Sequence, residues 1–355
     1  MFNTLSDPFL RVAFVTGTVA LALTALLLLL TVALRIGLKR REKHALEFTA
    51  LWRPVLMNAL MDPAACALPA LRSRDWLNFL KLWNYLQESL RGEATDSLNQ
   101  VAKRLHGDEQ ARGLLRRGNR AERLLAILTL GNLRDRESWD DLLASAASRD
   151  NIASLNAARA LIQIDPMAGV EHLMPLVLAR QDWDIARLAR MLGDARAAFG
   201  LLLSRTIVSL KAHQLLRALQ LVEALRLQLP PATLLFLLQR RHQPPAVLAA
   251  ALRVANGAAV LPTVREHLAH AHWRVRAQAV HALSRFGEPA DLTLLTARLG
   301  DAEWWVRYAA AQALASMPFL GHEGLAALQS TIPDTAARQI LAQVSAERGL
   351  PSHRN

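Results

Sequence analysis

Cysteine is all but missing. Cys66 is the only one in 355 residues, which excludes a disulfide framework and any metal site built from several thiolates. It lies in "PAACALPAL", an apolar setting for an inert thiol. Aromatic residues are scarce, at 5%, although hydrophobic residues reach 52%. The apolar mass is therefore leucine and alanine, which favour helices, whereas strands are enriched in β-branched and aromatic side chains. Sixteen glycines and 15 prolines leave room for long helices joined by short turns. Also missing are a Gly-rich phosphate loop, GxSxG, HExxH and CxxC motifs, and any paired-acid constellation. Asp140–Asp141 and Asp182/Asp184 lie in turns or at helix ends, where carboxylates cap N-termini. We therefore expect an all-α chain with no catalytic, metal or cofactor-binding residues, and no enzyme activity.

Charge is absent from one long stretch. Val12 to Leu34, "VAFVTGTVALALTALLLLLTVAL", has no charged residue. At 1.5 Å per residue it spans roughly 34 Å, enough for a hydrocarbon core of about 30 Å, and it lacks the polar stripe of a buried core helix. A cleavable signal peptide competes, with "TVA" at 31–33 as its cleavage site. Against it stand the length of the apolar run and the near-absence of positive charge before it. The basic residues Arg35, Lys39, Arg40, Arg41 and Lys43 come directly after the run. The positive-inside rule keeps that end in the cytoplasm. The expected topology is single-pass in a bacterial inner membrane, residues 1–11 outside and the remainder inside, with the basic cluster also able to meet anionic lipid headgroups. Of the net charge of +12, residues 44–355 carry +8, widely dispersed. That favours a cytoplasmic leaflet or an acidic partner and does not demand nucleic acid.

Beyond the apolar run the chain repeats. Leucine-rich segments such as "WDDLLASAA" and "ADLTLLTARLG" alternate with alanine-rich segments such as "VRAQAVHAL" and "VRYAAAQAL". The second kind closes at Leu130, Leu161, Leu192, Leu225, Val254, Leu283 and Leu314, at spacings of 31, 31, 33, 29, 29 and 31 residues, with an eighth copy at 334–344. Helical hairpins this short cannot bury both faces alone, so copies must stack.

The pattern resembles the HEAT repeat in its short, phycobilisome-lyase-type form. "HAHWRVRAQAVHALSRFG" and "DAEWWVRYAAAQALA" carry the resemblance, with Val275, Arg276, Ala279 and Leu283 and then Asp301, Val306, Arg307, Ala310 and Leu314 at family positions. Pro175 and Pro262 sit where the family tolerates a proline inside its first helix. The resemblance implies an α-solenoid of about seven to eight HEAT-like hairpins over residues 117–347. Residues 51–116 read as a helical N-terminal cap, 35–50 as a basic juxtamembrane linker, 12–34 as the transmembrane helix and 348–355 as a disordered tail.

Trp304 aligns with Trp273, Val306 with Val275 and Arg307 with Arg276, so these are register positions, and Trp304 is expected to pack over the neighbouring repeat. Trp305 aligns with Arg274 and has no register duty, which makes it the candidate partner surface. Arg276 and Arg307 are expected to join turn aspartates such as Asp301 in a ladder rather than to bind phosphate. His267, His270 and His272 have part of a metal-ligand spacing but no further ligand nearby.

Solenoids use such surfaces to hold proteins. The expected function is a membrane-anchored scaffold for protein partners at or in the inner membrane, such as an accessory subunit of a polysaccharide-synthesising glycosyltransferase system. No nucleic acid and no small-molecule substrate are expected as partners. Two alternatives stand beside it. Some HEAT-like proteins bind nucleic acid or are DNA glycosylases, and the phycobilisome-type resemblance implies a lyase or chaperone for a cofactor-bearing protein.

Overall fold

The computed structural model describes residues 8–240 and 242–347. The segment 348–355, read as a tail, and residues 1–7 of the N-terminal segment lie outside them. Nineteen α-helices and no strands occur among the described residues. The chain divides into two units, Met1–Ser138 and Trp139–Asn355.

The first unit begins with α1, Pro8–Asn58, a single helix of 51 residues, about 76 Å long. Its apolar N-terminal stretch is exposed, with Leu21 76% and Leu29 67% accessible, and is long and apolar enough to cross a membrane. Residues 35–50, expected to be a linker, are helix instead. Phe48, Trp52 and Leu56 recur every four residues, and this stripe is buried, so the charged segment before it continues into an amphipathic core helix. Trp52 stacks near Phe48 at 5.7 Å and meets Phe79 edge-on at 5.3 Å.

The other helices of this unit are α2 (Trp76–Ser89), α3 (Glu93–Arg104), α4 (Gly107–Arg117) and α5 (Arg120–Leu133). Their core joins Phe79, Leu80, Trp83 and Leu98 to the α1 stripe. Polar pins fix the register. The Asn84 amide donates to Thr129 Oγ1 at 2.8 Å, Asn132 donates to Asn84 Oδ1 at 2.9 Å, and the Trp83 indole donates to the Leu98 carbonyl at 2.9 Å. Each removes a buried polar group from want of a partner. His44 Nε2 lies 2.6 Å from Asp75 Oδ1, tying α1 to the turn before α2. Helix α5, which carries the first closing position Leu130 of the sequence reading, lies in this unit, paired with α4 from the segment read as the cap.

The second unit is a run of hairpins. First helices are α6 (Trp139–Ala146), α8 (Pro166–Ala179), α10 (Arg196–Thr206), α12 (Pro231–Gln239), α14 (Leu261–Glu266), α16 (Leu292–Arg298) and α18 (Gly321–Thr331). Second helices are α7 (Asn151–Ile164), α9 (Ile185–Leu192), α11 (Ala212–Ala224), α13 (Pro245–Val254), α15 (Trp273–Phe286), α17 (Trp304–Ser316) and α19 (Thr335–Glu347). Each second helix packs on the next, from α7 through to α19. Alanines make that approach close: Ala157, Ala158 and Ala160, Ala249–Ala251, Ala279 and Ala282, and Ala309–Ala311 are all buried. The closing positions Leu161, Leu192, Leu225, Val254, Leu283 and Leu314 are buried as well.

Starts are written locally. Asp150, Asp165 and Asp184 accept from the first backbone N–H groups of α7, α8 and α9. Pro231 and Pro245 open α12 and α13. Pro262, expected inside a helix, stands in the first turn of α14, where its missing N–H costs nothing. Pro175 lies within α8.

Candidate functional site: an aromatic corner on the last repeats

The geometry starts at the buried carboxylate of Asp301, in the turn between α16 and α17. Arg276 of α15 forks onto it, Nε to Oδ2 at 2.8 Å and Nη2 to Oδ1 at 2.7 Å. Its third nitrogen, Nη1, donates to the carbonyls of His270 and Ala271. Arg307 repeats only the carbonyl half of the motif one hairpin on, donating from Nη1 to the backbone carbonyls of Asp301 and Ala302 at 2.8 and 3.0 Å. The aspartate partner expected for it is not met, because among the described residues its turn presents carbonyls and no carboxylate within reach. Asp301 Oδ1 also accepts the N–H of Glu303. Burial alone would push the Asp301 carboxyl up, but the Arg276 bonds and charge outweigh it and hold the carboxyl below its ordinary value.

Other guanidinium rungs cross between turns in the same way. Arg265 reaches Asp291 at 2.6 Å and Glu288 at 2.8 Å. Arg180 bonds Asp182 and the Ser148 carbonyl. Arg217, almost wholly buried, donates to the carbonyls of Val177 and Trp183, and burial lowers its proton affinity. Arg285 donates to Leu252 and Ala255. Much of the arginine in this unit is therefore spent on its own backbone and carboxylates.

This frame holds α17 so that its first turn faces solvent. Val306 is buried, whereas Trp304 is 43% and Trp305 58% exposed. Trp304 keeps its register position yet leaves much of its ring uncovered, so the expected packing over a neighbour is incomplete. The two indoles meet edge-to-face at 4.8 Å and 81°, and Trp304 stacks on Tyr308 at 5.0 Å and 12°. The Tyr308 hydroxyl donates to Glu347 Oε2 at 2.8 Å, bracing the cluster against the end of α19. Gln343 and then Tyr308 hold the Glu347 carboxyl below its usual range. At the equivalent point of α15, His272 stacks on Trp273 at 6.2 Å and the Arg274 guanidinium lies 5.3 Å from the centre of the same ring.

Two adjacent second helices thus present rings and a guanidinium at their solvent-facing starts. Rigid aromatic rings and arginine are the residues that anchor protein interfaces. Alignment marked Trp305 as outward; the joint exposure of Trp304 depends on how far α18 and α19 cover α17, which no alignment reports.

The histidines are occupied. His267 Nε2 lies 3.1 Å from the Leu238 carbonyl, while His270 Nδ1 and His272 Nδ1 accept the N–H groups of His272 and Arg274. No metal-holding cluster of His, Cys, Asp or Glu occurs among the described residues. Cys66 is half-buried, with its Sγ 3.8 Å from the Val55 carbonyl. The basic residues Arg35, Lys39, Arg40, Arg41 and Lys43 are exposed on α1, where Lys43 lies 3.9 Å from Glu47.

Comparison with known proteins bears on the same hairpins. A family of HEAT repeats matches residues 232–315, which run from α12 nearly to the end of α17. No curated protein matches. Among solved structures, human deoxyhypusine hydroxylase in complex with glycerol is similar at 14% identity, over 85% of this chain and 96% of that one, with a TM-score of 0.28. At that score the likeness carries nothing about site or activity. The described residues are all-α, and residues 232–315 match HEAT repeats.

Proposed function

We propose that this HEAT-repeat chain is a scaffold held at the cytoplasmic face of an inner membrane by α1, and that it docks protein partners on the aromatic corner of α15 and α17. One observation carries the reading. The same helix that leaves its apolar N-terminal half bare buries its C-terminal half in a folded core, so one element belongs to two solvents. Arg35, Lys39, Arg40, Arg41 and Lys43 mark the boundary and favour the cytoplasmic side for everything after it. An accessory role in an assembly such as a polysaccharide-synthesising glycosyltransferase system fits this arrangement. Nucleic-acid binding is the weaker reading, because Arg180, Arg217, Arg265, Arg276 and Arg285 serve internal rungs rather than a continuous basic stripe.

Removing residues 1–34 is expected to move the protein from the carbonate-resistant membrane fraction to the soluble fraction with its helical circular dichroism intact. A carboxyl-terminal tag on the full chain should be digested only after the membrane is opened. Digestion from outside would reverse the topology, and aggregation of the truncated chain would count against a separable anchor.

A photo-crosslinking residue at position 305 is expected to capture a membrane-associated protein, and Trp305→Ala to weaken that contact by about tenfold or more, the scale of an interface anchor. Melting should hardly change, because the ring is mostly in water. Adducts consisting of nucleic acid would favour the alternative.

A further inference from the structure

The first unit has an open cleft of about 270 Å³ between α1 and α2. Its walls follow from helical spacing: Ala45, Thr49 and Arg53 rise along one strip of α1, and Asn78, Lys81, Leu82 and Tyr85 along one strip of α2. Ala45 and the buried Leu82 make an apolar floor. The rim is donor-rich: a guanidinium, an ammonium, a carboxamide and a phenol. No carboxylate lines it. The Thr49 hydroxyl is engaged with the Ala45 carbonyl at 2.8 Å. Neither Arg53 nor Lys81 has an acidic partner within ion-pair distance among the described residues, unlike Arg180, Arg265 and Arg276 of the second unit.

Arg53 and Lys81 both line the cleft without a compensating carboxylate, so an anion bound there would meet uncancelled positive charge from both helices. Arg53 supplies a planar fork suited to phosphate or carboxylate oxygens, and Lys81 a mobile point charge. The volume exceeds that of a bare inorganic ion and leaves room for a small organic group on the apolar floor. The geometry points to a binding site for a phosphate-bearing ligand in the α1–α2 cleft, with Arg53 and Lys81 as its principal contacts. Ala45 and Arg53 lie eleven and nineteen residues beyond the apolar run, roughly 16 and 28 Å along the helix. The phosphate therefore belongs to a soluble ester, or to a lipid headgroup only where α1 tilts enough to bring the cleft down to the bilayer surface. The inference rests on the first unit and not on the partner-docking reading.

The test uses the full chain in phosphatidylcholine nanodiscs. In one arm, glycerol phosphate is titrated by calorimetry. In the other, phosphatidylglycerol is added to the nanodiscs, and hydrogen exchange is followed in residues 45–53 and 78–85. Binding in the first arm identifies a soluble ester, and protection only in the second identifies a headgroup. In the responding arm, Arg53→Gln with Lys81→Gln is expected to weaken the effect by about tenfold or more, the scale of two charge-assisted contacts. Arg91→Gln, an exposed cation on the same unit, should leave it within about twofold. All three positions are solvent-facing, so unchanged circular dichroism will show that the variants fold. No response in either arm, an unaffected double variant, or an Arg91 variant equally weakened would each overturn the site.

Discussion

Replacing Trp52 with alanine is expected to destabilise the first unit by about 4 kcal/mol, the range for emptying a buried tryptophan site. Only 2% of Trp52 is accessible, and it sits between Phe48 and Phe79, joining the end of α1 to α2. Part of the loss is transfer of the indole to water; the rest is a cavity that the surrounding Leu56, Leu80 and Trp83 can close only by shifting off their rotamers. Denaturant unfolding of the chain lacking residues 1–34 would measure it, with Leu51→Ala as control. Leu51, one residue away, is 58% exposed and its removal should cost less than about 0.5 kcal/mol. Equal effects at the two positions would show that α1 is not gripped through its Phe48–Trp52–Leu56 stripe.

The second large effect is expected at Asp301. Asp301→Ala should destabilise the repeats around α15 and α17 by about 3 kcal/mol, the lower range for breaking a buried ion pair by removing one partner. The Arg276 guanidinium then keeps its bonds to two carbonyls but loses both carboxylate bonds, and the Glu303 N–H loses its acceptor. Asp301→Asn should recover part of the loss, since one amide oxygen can still accept. Because stacked repeats contact only their neighbours, faster hydrogen exchange should concentrate in α15–α17 and fade toward α7.

The acid response follows the same carboxylate. The folded value of Asp301 is depressed, so its stabilisation is complete above the ordinary unfolded carboxylate pKa of about 3.9 and disappears as pH falls through the lower folded value. Asp291, depressed against burial by Arg265, behaves alike. Melting temperature should therefore hold steady from neutral pH to about pH 4 for these groups and fall below it. Asp301→Asn should reduce that fall without abolishing it. A variant with the parent's full acid slope would mean that the Arg276–Asp301 rung contributes nothing to the fold.

The repeat was legible because its signal is physical: a buried closing leucine and flanking alanines recur wherever one second helix must lie close on the next. The arginine of the Arg276–Asp301 rung was also visible, since Arg276 and Arg307 lie at the same offset from Leu283 and Leu314, whereas the position matching Asp301 in the preceding copy is His270. Continuity of α1 was harder to read. Five basic residues between 35 and 43 resemble a solvated connector, although His44, Phe48, Trp52 and Leu56 already kept a helical interval of four. Pro262 misled because proline looks the same one residue inside a helix and at its first turn. The α1–α2 cleft was invisible, since Arg53 and Lys81 are separated by 28 positions and only packing of the two helices brings them to one rim.

The unbroken backbone of α1 has a mechanical corollary. Phe48 and Trp52 clamp it before Pro54, the proline near its end, so no hinge separates the exposed apolar turns from the clamp. With α1 anchored as proposed, rotation or tilt imposed at a bilayer would reach the first unit as torque, undiminished by slack. One alanine spliced in near Leu38 would swing that unit by roughly 100° about the helix axis and lower it by about 1.5 Å, turning the Arg53–Lys81 cleft toward a different quarter of the membrane surface.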